Sequence, residues 1–207
     1  MSVPNLYIHF DYVVTVNNRL HLGVILTDGE DGELLSSSMK EFDVSQRQGN
    51  NFHYTLSAFG YAFTYVKEFL EEDDLVDAFE TLTFCNQNHH IFTWFKTAEY
   101  DANKYQKAMK NVFQSFKNLL ELFDDNDVDF VFSTIKGKKN AAKLALKNHP
   151  AIEQMPHKAL LNKQQENINS FSSMPETTIF FTDDPFDFSQ EPAPESIDDL
   201  IKDLNSL

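Results

Sequence analysis

Residues 5–28 read NLYIHFDYVVTVNNRLHLGVILTD. Leu6, Ile8 and Phe10 alternate with Tyr7, His9 and Asp11, the period of two expected of a strand whose faces differ. Asn17-Asn18 interrupts the run, and Leu20, Leu22, Val24 and Leu26 resume it; Asp28-Gly29 and Asp31-Gly32 interrupt it again before Leu34 to Phe42. Asn and Asp tolerate left-handed backbone and glycine adopts it freely, so the breaks predict turns between adjacent antiparallel strands. Asn5 to Phe42 is therefore expected to form a three-stranded meander. One carboxylate, Asp11, sits midway along its first strand as a candidate active-site residue.

The chain has 207 residues, enough for one good-sized domain and an appendage without disulfide staples. Its single cysteine, Cys85, excludes a disulfide framework within the chain and fits a reducing compartment. The opening MSVPNLYIHF carries no export-type apolar stretch, and no window approaches about 18 uninterrupted apolar residues. A soluble cytoplasmic protein is expected. Residues 1–148 hold 14 Lys+Arg and 21 Asp+Glu, a net of -7, while 149–207 hold 3 and 11, a net of -8. That balance opposes nonspecific nucleic-acid binding, which rests on cations neutralising phosphates, but it leaves room for a local basic patch. Twenty phenylalanines favour a large core or a sticky surface.

Beyond the meander, Asn50 or Asn51 is placed to cap a helix from about Phe52 to Glu72. Phe52, Leu56, Phe59, Phe63, Val66 and Leu70 recur at helical spacing, with Tyr54, Tyr61 and Tyr65 widening the face. Such a stripe can stack bases, but it reads better as core packed on a sheet. Gly60 within it costs about 1 kcal/mol relative to Ala, which predicts close packing against another backbone. Glu71 to Asp74 reads as a solvated turn, and Phe79 to Cys85 as a buried fourth strand. Asn86 to Thr97 predicts a short helix with His89, His90 and Trp94. Adjacent histidines diverge on a helix and lack partners at ligand spacing, so no zinc site is expected.

Asp101 to Phe123 is the clearest helix, with Lys104, Lys107, Lys110 and Lys117 on its polar side. Asp124, Asp125, Asp127 and Asp129 resemble a calcium loop but lack its glycine and closing glutamate. Val128 to Ile135 reads as a fifth strand, followed by Lys136-Gly-Lys-Lys139 and a helix from Asn140 to Lys147. The glycine-lysine run lacks the spacing of a phosphate loop. The expected division is a domain over 1–148, a polar linker over 149–175 and an acidic aromatic tail over 176–207. The tail, expected to be largely disordered, contains TTIFFTDDPFDF (177–188). It closes on SIDDLIKDLNSL (196–207), a short amphipathic helix capped by Ser196.

Three antiparallel strands, a helix, a strand, a short and a long helix, a strand and a last helix is an element order that resembles the ribonuclease HI-like fold. Phe10-Asp11 with Gly23-Val-Ile-Leu26 is similar to that family's first two strands, and Gly49-Asn50-Asn51 to its helix-leading pair. Residues 131–146, VFSTIKGKKNAAKLAL, are similar to its last strand, substrate-facing loop and final helix. The resemblance implies an α/β fold with a mixed five-stranded sheet flanked by helices. It also implies four carboxylates holding two divalent ions for phosphodiester cleavage. Asp11 matches the first carboxylate position. The others fall on Tyr54, on Asn86 (or Cys85 if the register slips) and on Ala142, and Tyr12-Val13-Val14 replaces a Gly-rich turn. Neutral side chains do not balance two dications. Glu68, Glu71 and Glu72 lie about 21 Å of helical rise or more beyond Tyr54, too far to substitute. The resemblance thus implies a degenerate site with no metal and no cofactor.

What remains is the lysine group Lys136, Lys138, Lys139, Lys143 and Lys147, which reads either as phosphate contacts or as a solvated helix end favoured by the dipole. The leading expectation is an inactive ribonuclease H-like interaction module, with the tail binding an unidentified protein. Its expected anchors are Phe180, Phe181, Phe186 and Phe188, then Ile197, Leu200, Ile201 and Leu204. The segment around Phe186 is loosely similar to the acidic tail of bacterial single-stranded DNA-binding proteins, although here 21 residues follow it. Alternatives are a weak nucleic-acid binder using the lysines, with the tail as competing polyanion or folded over the basic patch, and a nuclease relocated to Asp11, Glu41 and Asp43.

Overall fold

The computed structural model describes residues 5–44, 50–72, 74–123, 128–150 and 152. The rest of the linker, the tail with its anchors, and Asp124 to Asp127 lie outside the described residues. Strands β1 (Asn5–Val14), β2 (Arg19–Asp28) and β3 (Leu34–Asp43) form the meander. The turns occur at the predicted breaks, with left-handed backbone at Asn18 (φ 55°) and Gly29 (φ 87°). Helix α1 (Asn51–Glu72) leads to β4 (Thr81–Asn86); α2 (His89–Thr97) and α3 (Ala102–Leu120) lead to β5 (Asp129–Thr134), and α4 (Ala141–Asn148) follows. The sheet order is β3-β2-β1-β4-β5, with β4 parallel to β1 and β5 parallel to β4. Parallel neighbours need crossovers, which α1 and the α2–α3 pair provide.

Strand β1 is central, and its two faces meet different partners. Phe10 stacks on Phe59 of α1 at 5.0 Å and 8°, and Phe63, Phe84, Phe95, Phe116 and Phe132 continue the ring packing. The aromatic stripe of α1 is thus core, and the described phenylalanines largely build it. On the opposite face α4 crosses β2, where Leu146 lies against Gly23. His9 and Asp11 point to this second face and are buried there too.

Several boundaries differ from expectation. A 3₁₀ turn over Val76–Ala78 delays β4 to Thr81. Helix α2 starts at His89, because Asn88 caps it by accepting from the His90 amide, so Asn86 belongs to the strand. Asn50 caps α1, accepting from the Phe52 and His53 amides at 3.0 and 3.1 Å. Gly60 does face another backbone, at Val112 of α3, but at ordinary contact distance. A methyl there would meet Val112 and Ser115 at 3.8 Å, ordinary contact, and the residue borders a cavity of about 260 Å³. Two glycines are tight: an added Cβ at Gly32 would overlap the Asp28 carbonyl in the turn after β2, and one at Gly23 would lie 2.9 Å from Leu146 Cγ.

Gly60→Ala is therefore expected to leave stability unchanged or raise it by up to about 1 kcal/mol, the helical preference for Ala. Gly23→Ala is expected to cost about 1–3 kcal/mol, because Leu146 has to move within a filled interface. Urea midpoints of the two variants check both signs.

Candidate functional site

Asp11 is 2% exposed and sits two residues beyond His9, whose pairing with Cys85 is the last of the β1–β4 ladder. The Phe10 carbonyl at this ladder end accepts from two side-chain amides. Asn86 Nδ2 donates to it at 2.7 Å, and Asn140 Nδ2 at 3.0 Å. Asn140 Nδ2 also donates to Gln87 Oε1 at 3.0 Å, and Gln87 Nε2 donates to Asp11 Oδ2 at 3.0 Å. The Tyr12 amide donates to Asp11 Oδ1 at 2.9 Å. Asn86 Oδ1 accepts from the Asn88 amide, and Asn140 Oδ1 accepts from the Lys143 amide to cap α4. Of three carboxamides from two distant segments, Gln87 thus meets the carboxylate, and Asn86 and Asn140 meet the Phe10 carbonyl beside it. Burial pushes the Asp11 carboxyl above its ordinary value, opposed by the Tyr12 amide, Gln87 and the Lys143 charge.

The positions matched by resemblance come together only in part. Asn86 is fully buried and structural, and Ala142 is buried on α4. Tyr54 packs its ring 5.6 Å from that of Tyr12, on the residue next to Asp11. The one carboxylate of the four accepts an amide hydrogen on each oxygen. Among the described residues no group of three or more His, Cys, Asp or Glu side chains is placed to hold a metal ion. These residues do not fit the two-ion arrangement.

Glu41 and Asp43 do not gather at Asp11 either. Glu41 meets Arg19 at 3.1 Å and His21 at 3.6 Å, and Asp43 meets Arg19 at 3.6 Å. In the register Asp11 faces Gly23, whereas Glu41 faces His21. The relocated site is thereby corrected: those acids neutralise a cation at the far end of β2. His89 and His90 are exposed, with rings 3.9 Å apart.

Lys136, Lys138, Lys139, Lys143 and Lys147 are all exposed on the loop and helix that follow β5. Lys139 Nζ meets Glu30 Oε1 at 3.0 Å, and the Lys143 ammonium lies against Gly137. Beside them a small cavity of about 80 Å³ is lined by Tyr7, His9, Glu30, Asp31, Cys85 and Lys139 among others. Burial lowers the His9 pKa and pushes the Cys85 thiol up to about 12, so the thiol is a poor nucleophile. Sequence reasoning missed Gln87 and Asn140 as partners of the site. Asn140 before the apolar Ala141-Ala142 was legible as a cap, but its second bond to Phe10 depends on how α4 crosses the sheet.

The architecture is ribonuclease H-like: an α/β fold with this mixed sheet order and its flanking helices. Among solved structures the chain is similar to ribonuclease H1 from the halophilic archaeon Halobacterium salinarum, at 16% identity and a TM-score of 0.47, covering 69% of this chain and 93% of that one. It is also similar to an N-terminal ribonuclease H domain from Mycobacterium tuberculosis, at 9% identity and a TM-score of 0.39, covering 68% and 94%. A third is Thermus thermophilus RuvC in complex with a Holliday junction substrate, at 14% and 0.30, covering 73% and 82%. No protein-family model matches the chain, and no curated protein does. Among the described residues no helix is long and apolar enough to cross a membrane.

The raised Asp11 pKa has a definite sign. A carboxyl whose folded value exceeds its unfolded value of 3.8 adds stability below 3.8, and this is lost as pH rises through the folded value. Asp11→Asn removes that dependence. Relative to the parent, the melting temperature of the variant is expected to improve between acid and neutral pH; a difference constant with pH would contradict the burial argument.

Proposed function

We propose that the chain is a catalytically inactive ribonuclease H-like domain serving as a protein-interaction module in nucleic-acid metabolism, with residues 176–207 as the partner-binding peptide. The observation that carries the loss of catalysis is the chain of neutral amides that ends on Asp11. Two divalent ions need several anionic oxygens, and here Asn140 donates to Gln87 and Gln87 to Asp11, while Asn86 and Asn140 both donate to the Phe10 carbonyl. The tail supports the second half by composition: four phenylalanines among acids, then an amphipathic segment of about three turns. So short a helix is marginal alone, since nucleation is costly, and it gains stability by burying its apolar face on a partner.

A second reading is nucleic-acid binding through Lys136, Lys138, Lys139, Lys143 and Lys147. Their common exposure on one loop and helix favours it, and the net charge of -15 opposes it. Binding through them would weaken steeply with salt, and the slope would flatten in a Lys138→Ala, Lys139→Ala variant.

Two measurements test the leading reading. The purified protein is expected to leave RNA–DNA hybrid and single- or double-stranded DNA intact in Mg²⁺ and in Mn²⁺. Cleavage that disappears in Asp11→Asn would overturn the loss of catalysis.

Removing 176–207 is expected to leave the melting temperature nearly unchanged while abolishing capture of the partner. Leu200→Asp with Ile201→Asp should act alike, each anchor losing about 1.5–3 kcal/mol of burial. A drop of several degrees on truncation would make the tail part of the fold.

A further inference from the structure

Strand β3 is one edge of the sheet, and among the described residues nothing pairs with its outer side. An edge strand presents a row of amides and carbonyls on which another strand can build, and chains guard such edges with proline, bulges or charges. The guards on β3 are confined or drawn inward. It contains no proline, and the one irregularity, where the pairing with β2 skips Leu35, leaves the strand regular from Ser36 to Asp43. The Lys40 ammonium lies over the rings of Phe42 and Tyr61, at 5.4 and 5.9 Å. The Glu41 carboxylate is drawn onto Arg19 and His21 of β2.

Ser36 and Ser38 bond to the Tyr65 and Tyr61 hydroxyls, which fixes that face of β3 on α1. By the alternation of a strand, Ser37, Met39 and Glu41 take the other face. Among the described residues five large apolar side chains are exposed, and Leu34, Leu35 and Met39 of β3 are three of them. The opposite edge, β5, is six residues long and carries one, Val131.

The regular part of β3 is complementary to itself. Two copies paired antiparallel about a two-fold axis normal to the sheet keep their faces, so residues of the same face oppose each other. An axis through Met39 opposes Ser36 to Phe42, Ser37 to Glu41 and Ser38 to Lys40, all within the regular stretch. No like charges meet in that register, and each Glu41 faces a serine hydroxyl. An axis through Lys40 would oppose two ammoniums, and one through Ser38 would pair only residues 36–40 of the regular stretch. An axis through Ser37 would need the irregular end and oppose Glu33 to Glu41.

We propose that β3 is a self-association surface, through which two copies of the chain join edge to edge over residues 36–42 with the axis at Met39. Leu34 and Leu35 border each end of the paired segment. The contact is narrow, at the low end of specific interfaces, so it is weak and reversible. Two chains of net charge -15 repel each other, and added salt screens that repulsion and strengthens the pairing.

The test uses the full chain. In sedimentation velocity the parent is expected to move from monomer toward dimer between roughly 10 µM and 1 mM, more so at high salt. Met39→Glu puts like charges on the axis at an exposed side chain, and is expected to stay monomeric with an unchanged melting temperature. Opposed residues stand about 4.5–5.5 Å apart between Cα atoms, within disulfide reach. In a glutathione redox buffer, Met39→Cys is therefore expected to form linked dimers roughly tenfold faster or more than Leu144→Cys, an equally exposed site on α4 that reports random collision. Ser37→Cys should link to Glu41→Cys in a mixture of the two chains and not to itself; Cys85 is buried and does not compete. A parent that stays monomeric throughout, association that persists in Met39→Glu, Met39→Cys linking no faster than the collision control, or Ser37→Cys linking to itself above that control would each overturn the proposal.

Discussion

The carbonyl oxygen of Phe10 accepts from two buried carboxamides, contributed from 76 and 130 residues further along the chain. It lies at the end of the β1–β4 ladder, where a backbone acceptor would otherwise be left unpaired in the interior. An unsatisfied buried polar group costs about 1–3 kcal/mol, so filling this one fixes the tip of β4 and the start of α4 against β1. Asn140 then has both ends engaged, since its oxygen caps α4. The position of the lysine loop, the burial of Asp11 and the orientation of Gln87 all follow from that junction.

The same junction decides the chemistry available. A carboxylate near others must be neutralised by cations, protonation or donors. At Asp11 the donors are uncharged amides in a directed chain, Asn140 donating to Gln87 and Gln87 to the carboxylate, together with the Tyr12 backbone amide. Both amide oxygens of the chain and both Asn140 hydrogens have partners, which favours rigidity over ligand exchange. Such an arrangement suits a site that holds the fold together better than one that activates water.

The two faces of the sheet divide the labour. The α1–α3 face is a continuous aromatic core in which rings from six elements meet at centroid distances near 5 Å, as between Phe63 and Phe116 or Phe95 and Phe113. The α4 face is polar at its centre and covered by a single short helix, which reaches the sheet only because Gly23 leaves room for Leu146. Lys136, Lys138, Lys139, Lys143 and Lys147 are exposed on the outside of this thin cover and the loop before it.

The order of strands and helices was legible in the sequence because alternation and helical spacing are local properties, set by which side of a strand or helix each residue occupies. Asp28-Gly29, the Asn50 cap and the phenylalanine stripe needed no knowledge of distant partners. The neutral residues at Tyr54, Asn86 and Ala142 were equally visible once the resemblance supplied the positions. What the sequence did not disclose was which glycine is sterically required, since Gly60 and Gly23 differ only in what crosses over them. Nor did it disclose that Glu41 and Asp43 serve Arg19, or that Gln87 and Asn140 complete the surroundings of Asp11. Those facts depend on strand register and on the path of α4, which bring together side chains up to 130 residues apart. Local spacing determined the elements, and only the tertiary structure decided which polar groups would satisfy one another in the interior.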